Sequence, residues 1–407
     1  MSTIAQVSET MHTVLVPAAE AADAMVGVTQ RADKAVFTAS PLTQTFVLGF
    51  LAHPNATRDQ LHQTAARLGV DVSPQALDQR FNARTAALLL AVLTAALQQS
   101  VQRDQTPPLA LLQRFTGVLI QDSTNIALPD ELQEVWQGAG GSGSVAVLKL
   151  GTQIDWRNGA LTALDLVDGR TPDSRRPCQQ QSIPAGSLRL ADLGFFDLTV
   201  VPAIAAAQAS FLSKLLPRTC IIDAHGRAWT LREFVRRRGD VRRWDDWVTV
   251  GRDTPVAARM LVERVPPEVA DQRRRRIRQD VRRKGRTPSA ATLELAAWTI
   301  LITNVPEDQL SHDEALVLAR VRWQLELLFK LWKSHGRIDQ WRSAHPVRIV
   351  CELPAQLLAM VLQHWLLVVS CWQYPDIGHL SKGPKRCGMM RPTWRVRAAA
   401  RWLLRGS

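Results

Sequence analysis

Apolar positions recur at helical spacing through the first hundred residues and at strand spacing once the chain passes position 110. Leu61, Ala65 and Leu68 repeat every three to four residues after Thr57 and stop at Gly69, which predicts a helix with a glycine end. Ser73-Pro74 is a second helix start, and Leu77, Phe81 and the Ala/Leu-rich run to Leu97 continue it. Two such helices around a tight turn fit either a helix-turn-helix or an ordinary helical hairpin, and no residue here identifies base contacts.

Gln105-Thr-Pro-Pro108 marks a boundary, beyond which the runs shorten. Phe115 to Gln121 predicts a strand ending at Asp122-Ser123-Thr124, and Val145 to Trp156 with Leu161 to Leu166 a hairpin turned at Asn158-Gly159. Ser187 to Ala191 predicts another strand, ending at Asp192-Leu-Gly194-Phe-Phe196, and residues 200–212 a helix. From 216 to 290, short strand-like pieces alternate with arginine clusters at 236–238, 242–243, 273–276 and 278–286, a pattern read as an insertion into the main domain. Those arginines form either a solvated surface or a phosphate-tracking patch. Trp298 to Thr303 is an apolar strand ended by Asn304-Val-Pro306. Leu353 to Trp372 is the most apolar long stretch. Pro354, Gln356, Gln363 and His364 interrupt it, so it predicts a buried helix in preference to a membrane span.

The segment 319–333 divides into two faces of one helix. At roughly 100° per residue, Arg322, Glu326, Lys330 and Lys333 fall within about 80° of one another. Leu318, Val321, Leu325, Leu328, Phe329 and Trp332 form the opposite, buried stripe. Taken alone, this face is also what a solvated helix shows, where Glu/Lys pairs at i, i+4 contribute a few tenths of a kcal/mol.

Composition narrows the field. The 407 residues are 46% hydrophobic, enough to bury a sizeable core in two or three domains. A net charge of +13, carried mostly by arginine, calls for a polyanionic partner, nucleic acid before an anionic membrane surface. The five cysteines (178, 220, 351, 371 and 387) form no CxxC pair, which argues against a zinc site or disulfide framework and for reduced thiols. Met1-Ser-Thr-Ile-Ala-Gln lacks a charged region followed by an apolar run, so no secretory signal and a cytoplasmic location are expected. The glycine-rich loop Gly138 to Gly143 is not closed by Gly-Lys-Ser/Thr, which removes a Walker-type nucleotide site.

Three carboxylates carry the candidate chemistry. Asp122 and Asp192 end predicted strands and Glu326 lies on a late helix, a set able to converge over the edge of a mixed sheet. Three hard oxygen ligands with open positions suit Mg²⁺, and two such ions can serve the attacking and leaving oxygens of an in-line displacement. Each aspartate by itself is equally an ordinary turn or cap.

As a set, these residues resemble bacterial insertion-sequence transposases of the DDE class, in particular the group whose third-acid helix carries Tyr-x2-Arg-x3-Glu-x6-Lys. Arg322, Glu326 and Lys333 match that signature in type and spacing. Asp122 in Gln-Asp-Ser-Thr resembles the first acid and Asp192 in Ala-Asp-Leu-Gly-Phe-Phe the second. Lys330 resembles a further phosphate-contacting lysine, and Trp298 and Trp323 resemble residues that hold a flipped base near the cut end. The resemblance covers roughly residues 40–375. The signature's tyrosine falls at Ala319, a departure that removes an aromatic hydroxyl contact to the DNA end but no metal ligand.

The resemblance implies an α/β fold: an RNase H-like mixed sheet with flanking helices, a β-rich insertion before the third acid, and a helical N-terminal domain. The corresponding boundaries are a DNA-binding region at 1–104, catalytic core at 105–215 and 291–375, a basic insertion at 216–290 and a basic tail at 376–407. It further implies Mg²⁺, with Mn²⁺ able to substitute, held by Asp122, Asp192 and Glu326. The implied reaction is strand cleavage at transposon ends followed by strand transfer into target DNA. Arg322, Lys330 and Lys333 would hold phosphates, while Trp323 and Trp298 would contact a displaced base. The implied partners are double-stranded DNA (terminal inverted repeats and target) and a second copy in a synaptic complex, with no membrane. Two other readings remain open at this point: a degenerate transposase that binds ends without cutting, favoured by Ala319, and an RNA-binding or other RNase H-like nuclease.

Overall fold

The computed structural model describes residues 4–29, 37–98, 110–139, 143–283 and 285–372. The expected boundary at Gln105–Pro108, part of the glycine-rich loop and the basic tail at 376–407 lie outside these residues. The N-terminal region is a set of helices: Ile4–Val26 (α1), Ala39–Ala52 (α2), Arg58–Arg67 (α3), Pro74–Asp78 (α4) and Ala83–Gln98 (α5). Thr57 and Gln60 form a reciprocal cap at the start of α3, and Ser73 caps α4. The helix expected from Ser73 to Leu97 is two helices. The Asn82 side chain accepts the Thr85 N–H at 3.1 Å and opens α5 afresh, a local bond that competes with helix continuation.

After a short turn of helix, Ala110–Gln113 (α6), the chain builds one sheet. Its strands are Val118–Ala127 (β1), Val147–Asp155 (β2), Ala160–Asp168 (β3), Leu188–Ala191 (β4), Ser210–Lys214 (β5), Cys220–Ile222 (β6), Ala228–Thr230 (β7), Arg243–Val250 (β8), Val256–Arg264 (β9) and Trp298–Thr303 (β10). The remaining helices are Val201–Ala206 (α7), Leu231–Arg236 (α8), Pro267–Arg283 (α9), Ala290–Leu295 (α10), His312–Val321 (α11), Trp323–Ser334 (α12) and Pro346–Trp372 (α13). The ten strands are ordered β3-β2-β1-β4-β5-β10-β9-β8-β6-β7, with β1, β4 and β5 parallel and the other neighbours antiparallel. This is the mixed, helix-flanked, RNase H-like α/β arrangement that the family resemblance implies.

Two expectations change with strand pairing, and a third is filled in. The first strand does not stop at Gln121, because β2 pairs with it as far as Ala127, so Asp122 lies inside β1. The helix expected over 200–212 ends at Ala206. Gln208 takes φ 54°, and Ser210–Lys214 leaves as a strand between β4 and β10. The segment 216–290 contributes β6 to β9 to the same sheet through the β9–β10 pairing. Its densest arginine cluster is no loop between strands but helix α9, whose Ala270, Ile277 and Val281 form a narrow apolar stripe beneath the charges.

The sheet separates two cores. One face packs against α1–α5 and α11–α13 through Leu148, Leu150, Leu261 and Leu301, and the other against α7, α8 and α10 through Phe211, Met260, Val262 and Ile302. Helix α13 lies in the first core against α2 and α5. It is long and apolar enough to cross a membrane, but most of it is buried inside the protein, as expected for a core helix. Two of its polar interruptions find backbone partners: His364 Nε2 lies 2.6 Å from the Gly159 carbonyl, and Gln356 Nε2 donates to the Pro54 carbonyl at 3.5 Å, while Gln356 Oε1 is buried without one.

Beneath the β1–β2 ribbon, Arg176 is fully buried and pairs with Asp165, while Asp173 accepts a hydrogen bond from Ser123 Oγ at 2.8 Å and lies 3.6 Å from Lys149 Nζ. Gly151 leaves room for that guanidinium. A Cβ there would overlap Arg176 and come within 2.6 Å of Asp165 Oδ1. Gly151→Ala should therefore displace a buried ion pair and cost about 2–4 kcal/mol, read as a lower urea midpoint with an unchanged slope.

Candidate active site

The β1–β4 register runs Val118↔Leu188 to Ile120↔Leu190, and two residues further on it brings Asp122 level with Asp192. Parallel neighbours at one level project to the same face, so the two carboxyl groups stand side by side. β4 has ended by then, and Asp192 is the first residue past it, opening the turn Leu193–Phe195. The β4–β5 register ends at Ala191↔Ser213, so Lys214 occupies the next place on that level, and its Nζ is 2.9 Å from Asp192 Oδ1.

Above this row lies the junction of α11 and α12. The sequence reads as one helix over 319–333, but Arg322 belongs to neither helix: it is the C-cap of α11 and the N-cap of α12. The Leu325 N–H donates to the Arg322 carbonyl at 3.1 Å, a tighter closure than the α-helical ladder. From this joint the guanidinium reaches three carboxylates. Nη1 is 2.5 Å from Asp122 Oδ2, while Nη2 is 3.0 Å from Glu326 Oε1 and 3.4 Å from Asp192 Oδ2. The three predicted acids are thus brought together around one cation.

Leu325, Phe329 and Trp332 bury the other side of α12 in the first core. Past Asp122, β1 runs on without β4 beside it. Lys333 Nζ donates to the Asn125 carbonyl at 2.7 Å, and Trp341 Nε1, in the loop after α12, donates to the Ala127 carbonyl at 2.8 Å. Lys330 is exposed, and Trp323, next to Arg322, is 50% exposed. Trp298 is not gathered into this cluster. It begins β10, packs with Ile300 against the second core, and lies 5.6 Å from the Arg264 guanidinium. Ala319, before the joint at Arg322, is half-buried against the first core. Lys214 went unnoticed in the sequence, because only the strand order brings it beside Asp192.

The side chains of Asp122, Asp192 and Glu326 are 15%, 30% and 42% exposed, so the cluster grades from buried to open. Burial pushes the Asp122 carboxyl up to about 6, although Arg322 and the Ser123 N–H pull the other way. Burial also acts upward on Asp192, but Lys214 and Arg322 outweigh it and hold that carboxyl below its usual range. For Arg322 burial opposes the charge, and Asp192, Asp122 and Glu326 more than restore it.

Three carboxylates with open coordination suit a hard divalent cation such as Mg²⁺ or Mn²⁺ in kind. Among the described residues no three acidic, histidine or cysteine groups are spaced to chelate an ion as they stand. The donor set fits such an ion in kind, and the Arg322 guanidinium lies among the three carboxylates.

Comparison with known proteins adds an independent line. The family described as Transposase DDE domain matches residues 113–362, which hold all three acids. The transposase for insertion sequence element IS231F of Bacillus thuringiensis subsp. israelensis is 24% identical over 331 residues, 75% of this chain and 68% of that protein. The transposase for IS1151 of Clostridium perfringens is 23% identical over 333 residues, 76% of this chain and 70% of its own length. The putative transposase InsL for IS186A of Escherichia coli (strain K12) is 30% identical over 209 residues, 49% of this chain and 56% of that protein. The chain thus spans about two thirds of the length of the IS231F and IS1151 relatives.

The raised Asp122 carboxyl has a stability consequence. Between about pH 4, the unfolded value, and about pH 6, the folded chain keeps a proton that the unfolded chain releases, so stability falls as pH rises through that window. Asp122→Asn removes the effect. The metal-free variant should exceed the parent by on the order of 1–3 kcal/mol at pH 8, and the gain should vanish below about pH 4. Urea denaturation at pH 4, 6 and 8 measures it; an equal difference at all three would show that Asp122 is not the titrating group.

Proposed function

The chain belongs to the Transposase DDE domain family, and from that premise we propose that it cuts DNA at the ends of an insertion sequence and joins the freed 3′ ends to target DNA. The observation that carries this reading is the convergence of Asp122, Asp192 and Glu326 on a single cation beside an exposed lysine and an exposed tryptophan. Asp122, Asp192 and Glu326 would hold Mg²⁺, or Mn²⁺ in its place. Bound there, divalent ions supply Lewis acidity to the attacking and leaving oxygens of an in-line displacement at phosphorus. Asp122 sits inside a paired strand and offers a rigidly held carboxylate, while Glu326 lies at the open side, where the DNA end would approach. Arg322, Lys330 and Lys333 are the cations proposed to hold backbone phosphates. Trp323 has the exposure needed to stack on an unpaired base. Trp298, packed on the opposite face of the sheet, takes no part in this proposal.

Double-stranded DNA as the partner has support away from the acids. Arg275, Arg276, Arg278 and Arg282 are exposed on α9 and make no ion pair among the described residues. The helix is tied to the catalytic sheet by Arg273, which donates to the Trp298 carbonyl at 3.0 Å and to Thr299 Oγ1 at 3.1 Å. Burial, and then the charge of Arg320 at the end of α11, lower the Arg273 pKa. A duplex held at the acids would meet this surface. We assign the duplex to terminal inverted repeats and target DNA, bound by two copies of the chain in a synaptic complex.

Ala319 favours a second reading, an end-binding protein with little or no cutting activity. Purified chain, DNA carrying the element's terminal repeats and Mg²⁺ or Mn²⁺ separate the two. Strand cleavage at the repeat ends is expected, and Glu326→Gln should reduce it by about 10²-fold or more while end binding persists. Repeat-specific binding with no metal-dependent cleavage by the parent chain would support the second reading. For α9, replacing Arg275, Arg276, Arg278 and Arg282 together by glutamine preserves helix propensity. At roughly 0.9 per phosphate contact, the slope of log affinity against log salt should become shallower by up to about 3.6. An unchanged slope would leave α9 a solvated surface.

A further inference from the structure

Three carboxylates within hydrogen-bond range of one another's partners need countercharge, and the fold supplies two cations. The two oxygens of Asp192 are divided between them: Oδ1 is 2.9 Å from Lys214 Nζ and Oδ2 is 3.4 Å from Arg322 Nη2. Asp122 faces Nη1 of the same guanidinium, and Glu326 shares Nη2 with Asp192. The carboxylates are therefore spread around a planar fork, whereas a magnesium site gathers its oxygens at about 2.1 Å from one point. This accounts for the lack, among the described residues, of any group spaced to chelate an ion although the ligands are adjacent.

Both cations have somewhere to go. Lys214 ends β5 with its side chain 48% exposed. Arg322 stands between two helices instead of within one, where the backbone ladder is already interrupted. Next to it lie the exposed Trp323 and Lys330, on the side where a DNA end would enter. Phosphate offers a guanidinium the same pair of oxygens that a carboxylate does, so leaving the acids for a phosphate exchanges one strong pair for another.

We propose that Arg322 and Lys214 are internal counter-cations, occupying the carboxylate cluster in the metal-free protein and giving way to divalent metal, which frees Arg322 to bind DNA phosphate. The inference rests on the reading of Asp122, Asp192 and Glu326 as metal ligands, and it assigns to Lys214 a positioning part in that site. It makes metal and DNA positively coupled: phosphate that holds Arg322 outside the cluster raises metal affinity, and metal that expels Arg322 raises affinity for DNA by the same factor.

The test measures Mn²⁺ binding to the full chain without DNA, from the free-ion electron paramagnetic resonance signal. Arg322→Gln should tighten Mn²⁺ binding by about tenfold or more, because the competing cation no longer holds the binding-competent fraction down. Lys214→Gln, which frees one carboxylate oxygen only, should tighten it by about threefold. Arg322→Lys retains the charge without the fork and should fall between the parent and Arg322→Gln, a comparison that does not depend on full loss of the side chain. Asp122→Asn should abolish the binding. Asp122-dependent Mn²⁺ binding that is unchanged or weaker in both Arg322 variants overturns the counter-cation role and leaves the metal-ligand reading standing. Mn²⁺ binding that never depends on Asp122 overturns both.

Discussion

The contact on which the arrangement depends is that of one guanidinium with three carboxylates. Arg322 ties the α11–α12 joint to β1 through Asp122, to the turn after β4 through Asp192, and to the next turn of its own helix through Glu326. A carboxylate as buried as Asp122 is costly to ionise beside two others, and its raised pKa records that cost even with the cation present. The helices and the sheet are therefore joined by the same side chains that form the candidate site. Whatever replaces the guanidinium must supply at least as much positive charge in the same small volume, a condition a divalent ion meets.

The sheet explains why so few strands can assemble this site. β1, β4 and β5 run parallel, and their registers carry Asp122, Asp192 and Lys214 to one level. β10 continues the sheet on the far side of β5, and through β9 the segment that looked like an insertion becomes part of the same hydrogen-bonded plane. Helix α9, with its arginines, is anchored to β10 by Arg273. Strand pairing through β10 and the Arg273 hydrogen bonds from α9 thus link the basic helix to the sheet that carries Asp122 and Asp192.

Much of this was legible in the sequence where the signal is local. Asn158-Gly159 announced the β2–β3 hairpin, whose Gly159 takes φ 76°, and the apolar stripe from Leu318 to Trp332 announced a helix against the core. The three acids could be named because their flanking residues carry a pattern. What remained hidden depends on pairing between distant segments. Asp122 reads as a strand end because Ser-Thr-Asn looks like a turn, yet β2 holds those residues extended. Residues 210–214 continue the helical texture of 201–206 but are claimed by β4 and β10. Lys214 has no motif around it. The period of α9 is masked by its charge, since only three small or aliphatic residues mark its inner face. Trp298 resembles a base-holding residue of the family, whereas its alternation along β10 turns it away from the acids and toward the second core.

Lys333 and Trp341 reach the carbonyls of Asn125 and Ala127 on the side of β1 that β4 leaves bare. An uncovered strand edge is a template on which another chain can add itself. Here an ammonium group and an indole stand in for the missing strand, closing that edge with side chains that a second copy would have to displace. A residue expected to serve DNA thereby also caps the open edge of β1, and another strand could pair there only by first displacing Lys333 and Trp341.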